Sequence, residues 1–391
     1  MIRILKHSPF VIAIIIGMAA SLHAQTDSSA QANSTAQANS TAQADSSARH
    51  GRQHGIIGAP YVKYAPETGW VGGLVALYYF DLVPQSESGA TRPSDINGGV
   101  SYTQKKQFSL GIHYDLYSPH DNYYAKGEFD YKRIPFEFYG IGDHNGPDPI
   151  GLYTPLWRGA VLEVTRNLER TPTGEGLNIG LQGVVRDDQI LSSDSGTFTQ
   201  NGIVPGSEGG LSSGIGVAGN YDTRDNVYAT HRGEYVAFDA MFYTKATGSD
   251  FHYSQWDLDA RKFIPVTDNQ ILALQALLTL AAGNVPFYTM SQLGGEYNMR
   301  GYYQGRFRDR NMAVVQAEYR LPVWWRFGLD VFGDAGEVAH TFGGFALNGL
   351  HYTYGAGIRF LVITRQRIGV RLDYGLASDS HELYLSINEA F

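Results

Sequence analysis

The chain has 391 residues, with 30 Lys and Arg against 38 Asp and Glu, a net charge of -8, 46 Gly, 26 Tyr, 19 Phe and no Cys. The acidic balance leaves no basic face for nucleic acid, and the lack of cysteine excludes disulfide staples, thiol chemistry and lipid attachment at a cysteine. Abundant Gly and aromatic residues with only 17% charged residues fit many short strands joined by turns.

Arg3 and Lys6 precede an apolar run from Phe10 to Ala20, and Leu22-His23-Ala24 offers small-residue cleavage before Gln25. This predicts a secretory signal peptide over residues 1–24, and no later stretch has the ~18 uninterrupted apolar residues of a membrane helix. From Ala24 to Ser47 a hexad repeats as AQTDSS, AQANST, AQANST, AQADSS, without an aromatic or branched aliphatic side chain. Such a segment cannot bury a core, so residues 25–55 are expected to form a disordered periplasmic leader. The glycosylation sequon at Asn33-Ser34-Thr35 is a product of that repeat.

From Ile56 onward two-residue alternation dominates. Phe108, Leu110, Ile112, Tyr114 and Leu116 alternate with Ser109, Gly111, His113 and Asp115. Leu177, Ile179 and Leu181 oppose Asn178, Gly180 and Gln182, and Ile368, Val370, Leu372 and Tyr374 oppose Arg367, Gly369, Arg371 and Asp373. The polar face carries Gly, Arg and Asp in strand after strand, and strand ends carry Tyr and Trp. An outward apolar band, aromatic girdles and a polar interior predict an all-β transmembrane antiparallel barrel of about sixteen strands over residues 56–391. An even count sets both barrel ends on one side of the membrane. The last segment, ELYLSINEAF, places Leu383, Leu385, Ile387 and Phe391 on one outward face as a C-terminal insertion signal, interrupted by Glu389.

Several motifs carry less. GIGVAG at Gly214–Gly219 satisfies the dinucleotide fingerprint, yet no helix pattern follows it. Asp222 and Asp225 in YDTRDN suit a turn held by Asp222, Arg224 and Asp225 better than a calcium loop, which needs a fuller ladder of ligands. No constellation calls for catalysis, a metal or a cofactor. The stretch LGGEYNMRGYYQGRFRDRN, Leu293–Asn311, has no apolar period, and a run of that kind inside a compact domain is usually functional.

Four stretches together resemble the BamA/TamA superfamily of outer-membrane barrels, the bacterial surface antigens. They are FEFYGIGD at Phe136–Asp143, YDTRDNVYATHRG at Tyr221–Gly233 with Asp222, Arg224, Asp225 and Gly233, MRGY at Met299–Tyr302, and FGDAG at Phe332–Gly336. The resemblance implies that the stretch between strands 11 and 12 folds inward, that Arg300, followed by Gly301 and Tyr302, pairs with Asp334 beside Phe332, and that the pair locks the loop. By parity Asp373 is a second candidate acceptor. It also implies insertion or translocation of protein or lipid through a seam between first and last strands. The expected partners are outer-membrane lipid, the barrel assembly machinery during the chain's own insertion, and an unfolded outer-membrane client or a separate periplasmic partner; a homo-oligomer is compatible. The chain is expected to be a short form without the periplasmic POTRA domains of that superfamily. A passive porin-like channel, with Arg306 and Arg308 tuning ion selectivity, and a structural barrel serving a separate partner are the competing readings.

Overall fold

The computed structural model describes residues 54–82, 94–118, 120, 122–169, 176–198, 204–364 and 367–391. The expected signal peptide and nearly all of the expected leader lie outside these residues. The first strand begins at His54, inside the span assigned to the leader.

Sixteen antiparallel strands follow one another around a closed barrel: β1 His54–Ala65, β2 Gly69–Phe80, β3 Ser94–Thr103, β4 Phe108–Tyr117, β5 Tyr123–Arg133, β6 Gly151–Glu169, β7 Gly176–Ser193, β8 Gly210–Asp222, β9 Gly233–Tyr243, β10 Tyr253–Pro265, β11 Ile271–Gly283, β12 Asn311–Trp324, β13 Phe327–Ala339, β14 His351–Ile363, β15 Ile368–Leu376 and β16 His381–Ile387. Each pairs with its neighbours in sequence, and β16 returns to β1. The even count brings the start of β1 and the end of β16 to one rim. The GIGVAG run lies within β8, so its glycines belong to a strand and open no helix.

Alternation decides which way each side chain points, because successive Cβ atoms take opposite faces of a strand. Ile179, Leu181 and Val185 are exposed, whereas Asn178, Gln182 and Asp188 are buried. Along β13, Leu329 and Val331 face out, and Asp330, Phe332 and Asp334 are buried. A soluble barrel would reverse this polarity. Only lipid outside and a polar interior satisfy both faces.

Strands β6 and β7, at 19 and 18 residues, are the longest. The end of this hairpin away from the termini pairs with a short strand, Phe136–Phe138, in the FEFYGIGD stretch. Phe138, Tyr153, Phe198 and Phe287 pack there with ring centroids 4.8 to 6.0 Å apart.

The seam between β1 and β16 differs from the rest of the wall. Its single register pair is Tyr64↔Leu385, while β1 pairs with β2 along all of its 12 residues. Continuing that register would set Asn388–Phe391 beside Gly58–Tyr61. Instead Asn388 takes a left-handed backbone (φ 61°) and its amide donates to the Gly369 carbonyl at 2.8 Å. The last residues turn away from β1. Leu383 is exposed as expected, but Phe391 is buried against Phe263, Ile271 and Ala273, so it does not share the outward face of Leu383. Glu389 likewise contacts Arg320 at 3.6 Å and Arg359 more closely. A carboxylate facing lipid would be left without a partner, and the turn at Asn388 carries it to two guanidinium groups.

An arginine on the lipid side should therefore be costly. Leu181→Arg, at a position 69% exposed, is expected to destabilise reversible folding into lipid vesicles by about 2 to 4 kcal/mol if it lies near mid-membrane. Gln182→Arg, one residue on and buried, escapes that lipid penalty. Urea titrations of the two variants in vesicles compare them.

Candidate functional site: the Arg300 hairpin and its acidic wall

Residues 284–310 connect β11 and β12 and are built on a two-stranded stem in which Ser291, Gln292 and Leu293 pair with Asp309, Arg308 and Phe307. The motif Phe136–Asp143 secures its base. The Gly142 amide donates to the Arg308 carbonyl at 2.7 Å, the Arg308 guanidinium donates to the Tyr153 hydroxyl at 3.2 Å, and Asp143 contacts His351 at 3.0 Å.

The tip carries Arg300, which has no exposed side-chain surface. Its guanidinium lies 2.8 Å from Glu318 on β12 and 2.9 Å from Asp373 on β15, and 3.5 Å from the centroid of the Phe332 ring on β13. The expected partner Asp334 is not one of these ion-pair partners. It is buried nearby and accepts from the Thr353 hydroxyl at 3.1 Å and from the backbone amide of Arg300. The close approach of two backbones explains the change of partner. A Cβ on Gly375 would lie 2.6 Å from the Arg300 carbonyl carbon, and one on Gly301 (φ 121°) would lie 2.9 Å from the Leu376 carbonyl carbon. Two glycines thus let the tip rest on β15, where Asp373 is two residues away on the same face. Gly301 accepts from Ser380 at 2.7 Å, and Tyr384 links to both Gly301 and Tyr302 at 3.3 and 3.2 Å.

Glu318 is the acid that the motif comparison missed. It accepts charge from Arg300 at 2.8 Å, Arg320 at 2.7 Å and Arg359 at 2.5 Å. Arg359 continues to Asp330 at 2.7 Å, and Arg371 to Asp373 at 2.8 Å. The signal was present in parity: Gln316, Glu318 and Arg320 alternate with Val315, Ala317 and Tyr319, which places all three polar groups on the inner face. Arg306, read as a possible ion-selectivity residue, pairs with Asp379 at 2.9 Å, and Arg308 is fully buried in the aromatic cluster.

A second carboxylate of the hairpin, Glu296, reaches the seam. One oxygen is 2.9 Å from Lys63 Nζ on β1 and the other accepts from Ser386 on β16 at 2.6 Å. Beside it Gln304 donates its amide to Glu67, in the β1–β2 turn, at 2.8 Å. Burial with little compensating charge pushes the Glu67 carboxyl up to about 7.

The Tyr221–Gly233 stretch lies at the rim that carries the termini. Asp222 accepts from Arg224 at 2.7 Å, and Gly233 (φ 113°) leaves room for the Thr223 carbonyl, which a Cβ would approach to 2.4 Å. Asp225 accepts the His231 and Arg232 amides at 2.9 and 3.2 Å and meets Arg367, in the β14–β15 turn, at 2.7 Å. Burial acts to raise the Asp225 carboxyl, but Arg367 and the two amides outweigh it and hold it below the ordinary carboxylate range.

Residues 91–377 match the Omp85 superfamily domain. No curated protein gives a significant sequence match. Among solved structures, BamA from Haemophilus ducreyi lacking POTRA domains 1-3 aligns with TM-score 0.58 at 14% identity over 87% of this chain and 70% of that one. CdiB from Acinetobacter baumannii (TM-score 0.55, 14% identity) and CdiB from Escherichia coli (0.55, 15%) align over 86% and 85% of this chain. The chain spans 59% and 62% of those two CdiB chains. At these identities the alignments speak for the fold.

Removing one partner from a well-buried ion pair costs about 3 to 5 kcal/mol, against about 1 for an ordinary hydrogen bond. Glu318→Gln and Asp373→Asn should therefore lower the thermal unfolding of the vesicle-embedded barrel more than Asp334→Asn, read by the temperature at which its heat-modifiable gel mobility is lost. For Asp225 the folded pKa is depressed, so its contribution is present above pH ~4 and is lost as pH falls through the folded pKa. Arg367→Ala should flatten that acid dependence, measured as hydrogen exchange in residues 223–232 between pH 3 and 6. The chain belongs to the Omp85 superfamily of outer-membrane β-barrels.

Proposed function

We propose that this barrel assists the insertion or translocation of protein or lipid at the bacterial outer membrane, working through the seam between β1 and β16, with the Arg300 hairpin as an inward-folded internal lock. The observation that carries this reading is the single register pair at the seam, set against seven between β15 and β16. Backbone amides and carbonyls left unpaired in hydrocarbon each cost several kcal/mol. An underpaired strand edge in that setting is therefore locally unstable, and it can add an incoming strand by backbone hydrogen bonding. The inward turn at Asn388 leaves the first part of β1 as that edge. Arg300, with carboxylates from β12 and β15 around it, would hold the interior shut while the wall opens sideways.

The likeness to BamA and CdiB chains supports a role of this class. A periplasmic partner would meet the barrel at the exposed β1 edge or at the Asp225–Arg367 rim.

The test uses liposomes containing the purified barrel, wild type or Arg300→Ala, with a urea-denatured outer-membrane client added from outside. Faster client folding that the mutation abolishes is the expected result. No acceleration, with steady single-channel conductance in its place, would instead indicate a passive pore.

A further inference from the structure

The seam is underpaired in its backbone, but the hairpin bridges it from the side chains. Lys63 and Ser386 occupy the next register position after Tyr64↔Leu385, and both point to the buried face. Glu296 stands between them, 2.9 Å from Lys63 Nζ and 2.6 Å from Ser386 Oγ. Its backbone carbonyl also accepts from Arg371 on β15 at 3.4 Å. One hairpin residue thus bonds the first strand, the last strand and the strand behind the last.

On the other side of the single pair the chemistry is opposite. Glu67 and Glu382 occupy the corresponding positions across the seam and act on one another as like charges. Glu67 is occupied by the Gln304 amide of the same hairpin. Without the hairpin this seam would keep one backbone pair, and Lys63 would keep only the longer-range attraction of Glu67, which is itself opposed by Glu382.

We infer that Glu296 is the latch of the seam: its carboxylate holds β1 and β16 together only while the hairpin is seated, so that withdrawal of the hairpin and parting of the strands are one event. The inference rests on reading the seam as the moving part of the barrel. Charge and geometry suit the role. Burial would raise the Glu296 carboxyl, but Lys63 and Arg371 with the Ser386 hydroxyl hold it at about 2, so it stays ionised. A charge-assisted pair of this kind is stronger than a neutral hydrogen bond, yet it breaks without unzipping a ladder.

The chain has no cysteine, which leaves a clean background for labels. Cysteines introduced at Val62 and Ile387, the next register position beyond the latch, would carry nitroxides, and their separation would be read by pulsed EPR in lipid vesicles. Glu296→Ala removes both arms together and should enlarge the separated population by roughly tenfold or more, since even one charged hydrogen bond accounts for about tenfold. Lys63→Met and Ser386→Ala, each removing one arm, should enlarge it less, and Lys63→Arg should restore the parent distribution. Parent-like distances in all the disrupting variants would overturn the latch, and heat-modifiable mobility identifies any variant that has failed to fold. Client folding in the same vesicles separates the two proposals. Variants whose seam parts around a barrel that accelerates no client would sink the insertion reading and keep the latch, whereas an active barrel with an unmoved seam would do the reverse.

Discussion

A guanidinium with no exposed surface has to be paired, because an isolated buried charge is far more costly than any single packing gain. Arg300 meets that demand with Glu318 and Asp373, and the rest of the interior is arranged around those two acids. Glu318 also serves Arg320 and Arg359, Asp373 also serves Arg371, and Arg359 reaches Asp330 and Glu389. Strands β12 to β15, the hairpin and the C-terminal tail therefore share one charge network. Buried ion pairs are weak evidence for net stability, since desolvation consumes most of the Coulomb energy. Their value here is selective: in this seat Glu296, Arg300 and Arg306 of the hairpin each meet an opposite charge.

Glycines decide where that seat lies. Gly301 and Gly375 bring the hairpin backbone against β15 more closely than any side chain would permit. Once the backbone is there, the guanidinium of Arg300 pairs with Asp373, while Asp334 meets the Arg300 backbone amide instead. Phe332 then serves as the floor under the guanidinium. The FGDAG motif still matters, but its aromatic ring touches the arginine and its carboxylate turns to Thr353.

Most of the architecture was legible in the sequence. Strict alternation in segments such as Phe108–Leu116 and Ile368–Tyr374 states which side chains face lipid, and the strand count and the family follow from it together with four short motifs. The partner of Arg300 was not legible, for a physical reason. Parity tells whether a side chain points inward, but not its height along the barrel axis, which depends on strand tilt and the shear accumulated around the wall. Glu318, Asp330, Asp334 and Asp373 all point inward, and only shear and the Gly301–Gly375 contact choose among them. The tail misled for a related reason. Alternation carried through Ile387 was extended to Phe391, although Asn388, a residue that tolerates a left-handed backbone, could end the strand.

The seam gains its character from what replaces the ladder. A backbone ladder of seven pairs, as between β15 and β16, yields only by cooperative loss and does not depend on any distant residue. The seam has one such pair and is bridged by a side chain anchored elsewhere, Glu296 of the hairpin, while the tail beyond β16 is held to β14 through Glu389 and Arg359. Arg359 and Arg300 share the Glu318 carboxylate, so a shift of the hairpin changes the charge balance at the residue that holds the tail. The tail in turn decides whether the last residues lie beside β1 or turn inward. Hairpin seat, tail position and seam pairing are therefore linked through one carboxylate, and a wall built this way can be weak in one place without being weak at all times.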